Sequence, residues 1–193
     1  MALAATTYKV ELSISDIDRG YYATHEFTLA RHPSETEERL MVRLLAFVLY
    51  ADERLQFGKG ISSDDEPDLW RKDLTGEIID WIELGNPDEQ RIRKACGRAR
   101  HVVVVNYGGR SAGIWWDKNN AALARAKNLT VIDIPQPAVQ ALTALAERSM
   151  RLQCTIQDRQ VQIFGINAAV TIGEWREWIA LISITGCGPR TLP

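Results

Sequence analysis

The chain has 193 residues, of which 46% are hydrophobic and 25% charged, the balance of a globular protein with a sizeable core. A net charge of −2 excludes a global basic field, so any contact with nucleic acid must use a local patch. The chain start lacks a basic region followed by a long apolar run, and the three cysteines have no metal-knuckle spacing. We therefore expect a cytoplasmic protein without a signal peptide or a membrane-spanning helix.

The first elements are a β-hairpin and a long helix. Residues 6–17 and 20–31 alternate between apolar and polar, as two paired strands do. Ser34 is a good N-cap, with Glu37 three residues later completing a capping box. Apolar residues then recur at helical spacing, which predicts a one-sided helix from about Ser34 to Phe57 that packs against a sheet.

An irregular segment, a central strand and a basic helix come next. Residues 58–76 show no regular pattern, whereas residues 77–84 are mostly apolar on both faces, as in a central strand. Asn86 can cap the following helix, with Pro87 at its first position. This helix should extend to about residue 100.

The second half alternates strands with helices before a second hairpin. We predict a strand at 101–107, a helix at 111–127, a strand at 129–134, a helix at 137–148, and a hairpin of 149–158 with 160–170. From residue 171 no clear period is visible beyond a short helix. Without repeat or linker, we predict a single domain over 1–193, of mixed α+β class, with a central mixed sheet flanked by helices and two β-hairpins.

Two acids carry the first functional hypothesis. Asp68 follows a proline in the irregular segment, and Glu83 lies in the apolar strand, where a carboxylate needs a cation or a donor. Carboxylates that converge can hold Mg²⁺ together with phosphate oxygens. The alternative is a loop aspartate and a strand-end glutamate that pairs with an arginine, which is commoner for short acidic motifs. Asp80 competes in the same strand, but it points to the opposite face from Glu83.

The long helix offers a third acid, Glu38 or Glu35. Acids near a helix N-terminus are also favoured by the helix dipole, and that explanation is stronger for Glu35. The basic helix offers Arg91, Lys94 and Arg98 on one face, which either contact phosphates or form a solvated surface.

Long motifs of this chain resemble the bacterial YaeQ family. The resemblance covers about residues 1–160 and departs after residue 171. Its motifs are RHPSETEERLMVRLLAF, YADERLQFGKGISSDDEPDLW, DLTG, WIELGNPDEQRIRKA, the tryptophan pair at 115–116 and MRLQCTIQD.

The resemblance implies a variant of the restriction-endonuclease-like fold, in the PD-(D/E)xK nuclease superfamily. On that template Asp68 matches the first acid, Glu83 the second, and Glu38, or else Glu35, the acid of the first core helix. Gly85 stands at the lysine position, a departure from the motif. A migrated lysine would be Lys94, which we favour over Arg91 because lysine has a tunable pKa whereas arginine stays protonated.

Two function hypotheses follow. The first is a nuclease or phosphodiesterase that uses Mg or Mn, with Asp68, Glu83 and Lys94 as catalytic residues and Glu38 as a third metal ligand. The second is an inactive nuclease-fold module that binds nucleic acid, through Arg91, Lys94 and Arg98, or a protein. The missing lysine favours the second hypothesis, and the retained acids favour the first.

Overall fold

Two mixed β-sheets and four helices make up the part of the chain that the computed structural model describes, residues 6–59, 65–173 and 176–178. The strands are β1 Thr6–Asp16, β2 Tyr21–Arg31, β3 Leu55–Phe57, β4 Leu69–Lys72, β5 Ile78–Leu84, β6 Ala99–Asn106, β7 Leu129–Asp133, β8 Ser149–Gln157, β9 Gln160–Phe164, β10 Ala169–Ile172 and β11 Arg176–Trp178. The helices are α1 Glu37–Leu49, α2 Glu89–Cys96, α3 Arg110–Leu123 and α4 Gln136–Thr143. Among the described helices, none combines the length and the hydrophobicity of a membrane-spanning segment.

The first sheet has the order β10-β9-β8-β1-β2. The hairpin strands β1 and β2 pair along their full lengths, and β1 also pairs in parallel with β8. The parallel β1–β8 ladder therefore joins the N-terminal hairpin to the C-terminal strands. Sequence pattern alone predicted one central sheet, but this non-local pairing creates a second one.

The second sheet has the order β11-β7-β6-β5-β4-β3. Strands β5, β6 and β7 are parallel to one another, while β3, β4 and β11 pair antiparallel at the margins. Its parallel strands are rich in valine and isoleucine, as expected of strands covered on both faces.

Helices α1 and α4 share one hydrophobic cluster with residues of both sheets. Phe47 of α1 shows this most directly, because its ring lies 4.8 Å from the ring of Phe27 in β2 and 5.3 Å from that of Phe57 in β3. Helices α2 and α3 cover the other face of the six-stranded sheet, where Ile92 and Trp115 pack with Val104. The order of layers is therefore sheet, helices, sheet, helices.

The predicted hairpin at the chain start is confirmed, but the predicted bounds of α1 are wrong. Thr36, rather than Ser34, is the N-cap, and its hydroxyl accepts a hydrogen bond from the Arg39 amide at 3.1 Å. The helix ends at Leu49, because the apolar residue Leu55 belongs to β3 and not to a continued helix.

Three further boundaries differ from prediction. The segment predicted to be irregular contains β4, which at four residues is too short to show a period. Asp88, rather than Asn86, caps α2. The predicted second hairpin consists of three strands, β8, β9 and β10. The short helix predicted after residue 171 falls mostly outside the described residues, and 176–178 within it form β11.

Candidate functional site

Asp68 is held just before β4, beside the end of β5. Leu69 pairs with Ile82, so Asp68 is the next residue along, next to Glu83. The Asp68 amide donates to the Ile82 carbonyl at 3.1 Å, and the Asp68 carbonyl accepts from the Gly58 amide at 2.9 Å. A Cβ atom at Gly58 would lie 2.1 Å from the Pro67 carbonyl oxygen, so the close approach of these two segments requires glycine.

Both carboxylate oxygens of Asp68 are occupied. Oδ1 accepts from Nη2 of Arg39 at 2.7 Å, and Oδ2 accepts from the Leu84 amide at 2.9 Å. The residue is only 1% exposed. Burial raises the pKa of Asp68 above its ordinary value, although Arg39 and the Leu84 amide oppose the shift.

Glu83 is buried near the end of β5, next to Asp68, but its hydrogen-bond partners differ from those of Asp68. Its Oε1 accepts from the Trp81 indole at 2.7 Å and from Nε of Arg91 at 2.8 Å. Arg91 is fixed in turn, because its Nη2 donates to the Glu66 carbonyl at 2.9 Å. Burial raises the pKa of Glu83, the arginine and the indole lower it, and the charge of Asp68 raises it further. The two acids are therefore close enough to sense each other.

The two acids are engaged by helices that lie on opposite faces of the six-stranded sheet. Arg39 belongs to α1, in the layer between the sheets, and Arg91 belongs to α2, on the outer face. Each acid thus has its own cation. Asp80 is on the other face from Glu83, as predicted, where it pairs with Arg71 at 2.5 Å.

A third acid, Glu35, extends the cluster on the α1 side. Its carboxylate lies 3.3 Å from Nη2 of Arg43, and both side chains are buried. Burial lowers the pKa of Arg43, and the charges of Glu35 and Asp68 oppose this shift. Burial also raises the pKa of Tyr107, whose hydroxyl senses Arg39, Asp68, Glu38 and Glu35. What we call the acid–arginine cluster consists of the acids Glu35, Glu38, Asp68 and Glu83, the arginines Arg39, Arg43 and Arg91, and Tyr107.

Two of the residues predicted to bind metal, Asp68 and Glu83, are paired with arginines. The third, Glu38, is half-buried and close enough to raise the pKa of Tyr107. In the described part of the chain, no group of three His, Cys, Asp or Glu residues could hold a metal. A cation at the acid pair would also have to displace Arg39 and Arg91 from their carboxylates.

Lys94, the predicted migrated lysine, forms an ion pair at the protein surface. Its Nζ lies 2.5 Å from Oδ1 of Asp65 at the surface, and Arg98 reaches the same oxygen at 4.0 Å. Arg91 is the cation of α2 that contacts Glu83. Gly85, which the family resemblance places at the lysine position, has a φ angle of +81°, and its amide donates to the Val105 carbonyl at 2.9 Å.

Sequence reasoning missed Arg39 and Arg43 as partners of the acids. A usable signal was present, because Arg43 interrupts the apolar run LMVRLLAFV in α1. An arginine inside such a run must be buried and must therefore meet a carboxylate. Arg39 lies one helical turn earlier on the same face.

Comparisons with known proteins agree over most of the chain. The family model described as YaeQ protein matches residues 1–173. Proteins named "Uncharacterized protein YaeQ" from Escherichia coli (strain K12) and Shigella flexneri are 46% identical over 180 residues, covering 92% of this chain and 99% of theirs.

Two solved structures are also similar. The YaeQ protein from Xanthomonas axonopodis pv. citri is 56% identical with a TM-score of 0.84, and the match covers 87% of this chain and 95% of that one. The YaeQ protein from Pseudomonas syringae is 37% identical with a TM-score of 0.84, covering 89% of this chain and 95% of that one.

Proposed function

The chain belongs to the YaeQ family, and from that premise we propose that it is a binding module with a restriction-endonuclease-like fold that does not carry out metal-assisted hydrolysis. It acts by contacting a partner protein. One observation supports this proposal most strongly. Asp68 and Glu83 each form an ion pair with a largely buried arginine, and the two arginines come from opposite faces of the sheet.

The fold assignment within this proposal rests on element order and acid placement. The chain runs α1, β3, β4, β5, α2, β6, with Asp68 immediately before β4 and Glu83 one residue before the end of β5. This order puts both acids of the motif at one end of neighbouring strands. The fold implied by the family resemblance requires the same placement.

The chemistry argues against hydrolysis. Magnesium needs oxygen ligands that are free to coordinate it and keeps water and substrate oxygens in its other positions. Here the Asp68 carboxylate is almost fully buried and already accepts a hydrogen bond from Arg39, so a cation would have to take the place of that arginine at a closed position. The displaced arginine would lose a charge-assisted hydrogen bond, and the binding free energy of the cation must offset that loss.

The surface charge favours a protein over nucleic acid as the partner. Each exposed basic side chain between residues 93 and 100 has an acidic neighbour within 4.0 Å. The pairs are Arg93 with Glu89, Lys94 and Arg98 with Asp65, and Arg100 with Glu77. A phosphate backbone must compete with these carboxylates and gains few released counterions.

A metal-dependent phosphodiesterase is the second candidate, favoured by one observation. Burial raises the pKa of both Asp68 and Glu83, and the two carboxyls sense each other. Perturbed acids concentrate at catalytic sites, although ion-pair networks perturb pKa values as well. In that candidate Arg91, and not Lys94, is the cation beside the acid pair.

Thermal melts with manganese separate the two candidates. A ligand that binds the folded state stabilises it by mass action, so we expect the melting temperature to be unchanged by millimolar Mn²⁺. Cleavage of single- and double-stranded DNA and RNA with Mg²⁺ or Mn²⁺ should not exceed that of an Asp68→Asn/Glu83→Gln variant purified identically. Fluorescence anisotropy with the same nucleic acids should give a Kd no tighter than about 10⁻⁴ M at physiological salt.

The contrary results are specific. A rise in melting temperature with Mn²⁺ that Asp68→Asn abolishes would establish a metal site at Asp68, and cleavage that the double variant lacks would establish the phosphodiesterase. Tight, salt-sensitive binding that weakens when Arg91, Lys94 and Arg98 are changed to glutamine would instead make nucleic acid the partner.

A further inference from the structure

We propose that the outer edge of β2 is a docking site for an extended segment of a partner protein, which adds to the five-stranded sheet as a sixth strand. This inference rests on the proposed binding function and names the surface and the kind of partner. It uses no residue of the acid–arginine cluster, so an experiment on the β2 edge can contradict this inference without contradicting the proposed function.

The edge itself is unusually long and regular. Strand β2 has 11 residues, pairs with β1 from Tyr21 to Arg31 without a register shift, and ends the sheet. Within 6–59, 65–173 and 176–178, no strand pairs with its other side. Proteins normally protect such edges with proline, bulges, short strands or several charges. Strand β2 contains no proline, and Glu26 is its only charge before Arg31.

An aromatic ledge runs along this edge on the inner face of the sheet. Tyr21, His25 and Phe27 are half-buried and stacked, with ring centroids 6.1 Å and 5.7 Å apart. Phe57 continues the ledge from β3, 5.1 Å from Phe27. An added strand would cover the ledge with every second side chain, so those positions of the partner should be apolar.

The charges on the outer face of the same edge favour a basic residue in the added strand. Arg151 of β8 lies 3.1 Å from Glu11 of β1, and Glu11 stands directly opposite Glu26. Glu26 therefore has a like charge on one side, and no cation of the described residues lies within 4.0 Å of it. A lysine or arginine of the added strand, placed opposite Glu26, would supply the cation that Glu26 lacks among the described residues and would offset its repulsion from Glu11.

The same charge argues against a second copy of this chain. Residue 26 is the midpoint of β2, so two copies paired antiparallel over the full strand would place Glu26 opposite Glu26. Like charges directly opposite one another are destabilising. A different protein with a central basic residue is the better fit.

Defined peptides test the proposal on the full-length protein. The probe is an acetylated, amidated nine-residue peptide that alternates threonine and valine with lysine at the centre, and its partner peptide carries glutamate there. The lysine peptide should bind wild type about two- to fivefold tighter than the glutamate peptide, and Glu26→Lys should reverse that order. Asp117→Lys, with the same charge change on exposed α3, should leave the order unchanged.

Backbone pairing has its own readouts. Only the edge of the peptide that faces β2 forms hydrogen bonds with it, and every second peptide amide points to that edge. N-methylation of those amides should abolish binding, whereas N-methylation of the other amides should leave binding intact. Hydrogen exchange of residues 21–31 should slow on binding.

Three results would overturn the proposal. One is absence of binding by either peptide at millimolar concentration, or binding that ignores the charge at residue 26. Another is a dimer by light scattering whose β2 amides are already protected without peptide. The third is the same protection in a monomer, which would mean that another segment of the chain covers the edge.

Discussion

Arg39 and Arg91 each neutralise one buried acid. The effect of a substitution in the acid–arginine cluster on stability therefore depends on which acid loses its cation. A buried carboxylate that loses its cation is left as an uncompensated charge. The first consequence is therefore a large effect from changing one arginine.

Arg39→Met should lower the free energy of unfolding by about 2–4 kcal/mol at pH 7, because Asp68 then loses its ion pair at 1% exposure. Urea denaturation measures the effect. The matched control is Arg93→Met, whose exposed pair with Glu89 should contribute less than about 0.5 kcal/mol. Equal effects of the two variants would show that the buried pair contributes no more than a surface one.

The raised pKa of Asp68 gives stability a defined pH dependence. A carboxyl whose folded pKa lies above its unfolded value favours folding fully below the unfolded pKa, and this contribution is lost as pH rises through the folded pKa. Wild type should therefore lose stability over that window, whereas Asp68→Asn should lack this decline. Denaturation curves from pH 3 to pH 8 test it.

Glu77 supplies a control of opposite sign. Its hydrogen bond from Arg100 lowers the pKa of Glu77, so its contribution is present above the unfolded pKa and is lost as pH falls through the folded pKa. Glu77→Gln should remove a contribution to the free energy of unfolding that decreases as the pH falls. Parallel pH profiles for wild type and Asp68→Asn would contradict the assignment of a raised pKa.

At the scale of elements, the contact between β3 and β4 positions Asp68. Gly58→Ala would place a methyl group 2.1 Å from the Pro67 carbonyl oxygen, so one segment must move. We expect a loss of about 1–3 kcal/mol in unfolding free energy, as for other overpacked sites. Gly113→Ala, inside α3 with open space around its Cβ position, should instead stabilise by roughly 1 kcal/mol. A neutral Gly58→Ala would mean that the two segments separate easily.

The elements that sequence predicted well are those with a strong local pattern. Strand β5 and the hairpin β1–β2 show clear apolar patterns, and both were predicted nearly to the residue. Caps were predicted less well, because two good capping residues lie near each helix start and Thr36 and Asp88 prevailed. The β1–β8 ladder joins residues more than a hundred positions apart, which no local pattern encodes.

The candidate site divides in the same way. The resemblance identified Asp68 and Glu83, and the alternation of β5 correctly separated Glu83 from Asp80. An arginine partner for Glu83 was among the alternatives, but the sequence did not decide between Arg91 and Lys94, because that choice depends on how α2 is rotated against the sheet. Spacing along the sequence does not determine that rotation.

For the whole molecule, Phe47 joins the two sheets through α1. Phe47→Ala should cost about 3–5 kcal/mol, and it should destabilise both sheets equally because they share one core. Five of the six tryptophans lie on or against the six-stranded sheet, so fluorescence reports that sheet: Trp70, Trp81, Trp115, Trp116 and Trp178. Buried Cys154 in β8 reports the other sheet through its reaction with a thiol reagent.

The two probes should give one denaturation midpoint in wild type and a common, lower midpoint in Phe47→Ala. Cys96→Ser and Cys187→Ser in the background leave Cys154 as the single reactive thiol. Separate midpoints would show that the sheets unfold as independent units.

The backbone at Gly85 makes the absence of a lysine hard to reverse. A side chain at a φ of +81° costs about 1–2 kcal/mol, so Gly85→Lys would introduce the missing amine only with strain in the turn that ends β5. The new amine would also find both acids already neutralised by Arg39 and Arg91. A lysine at residue 85 would therefore reach an unpaired acid only if Arg39 or Arg91 were replaced as well, and each of those replacements would leave a buried carboxylate without its cation.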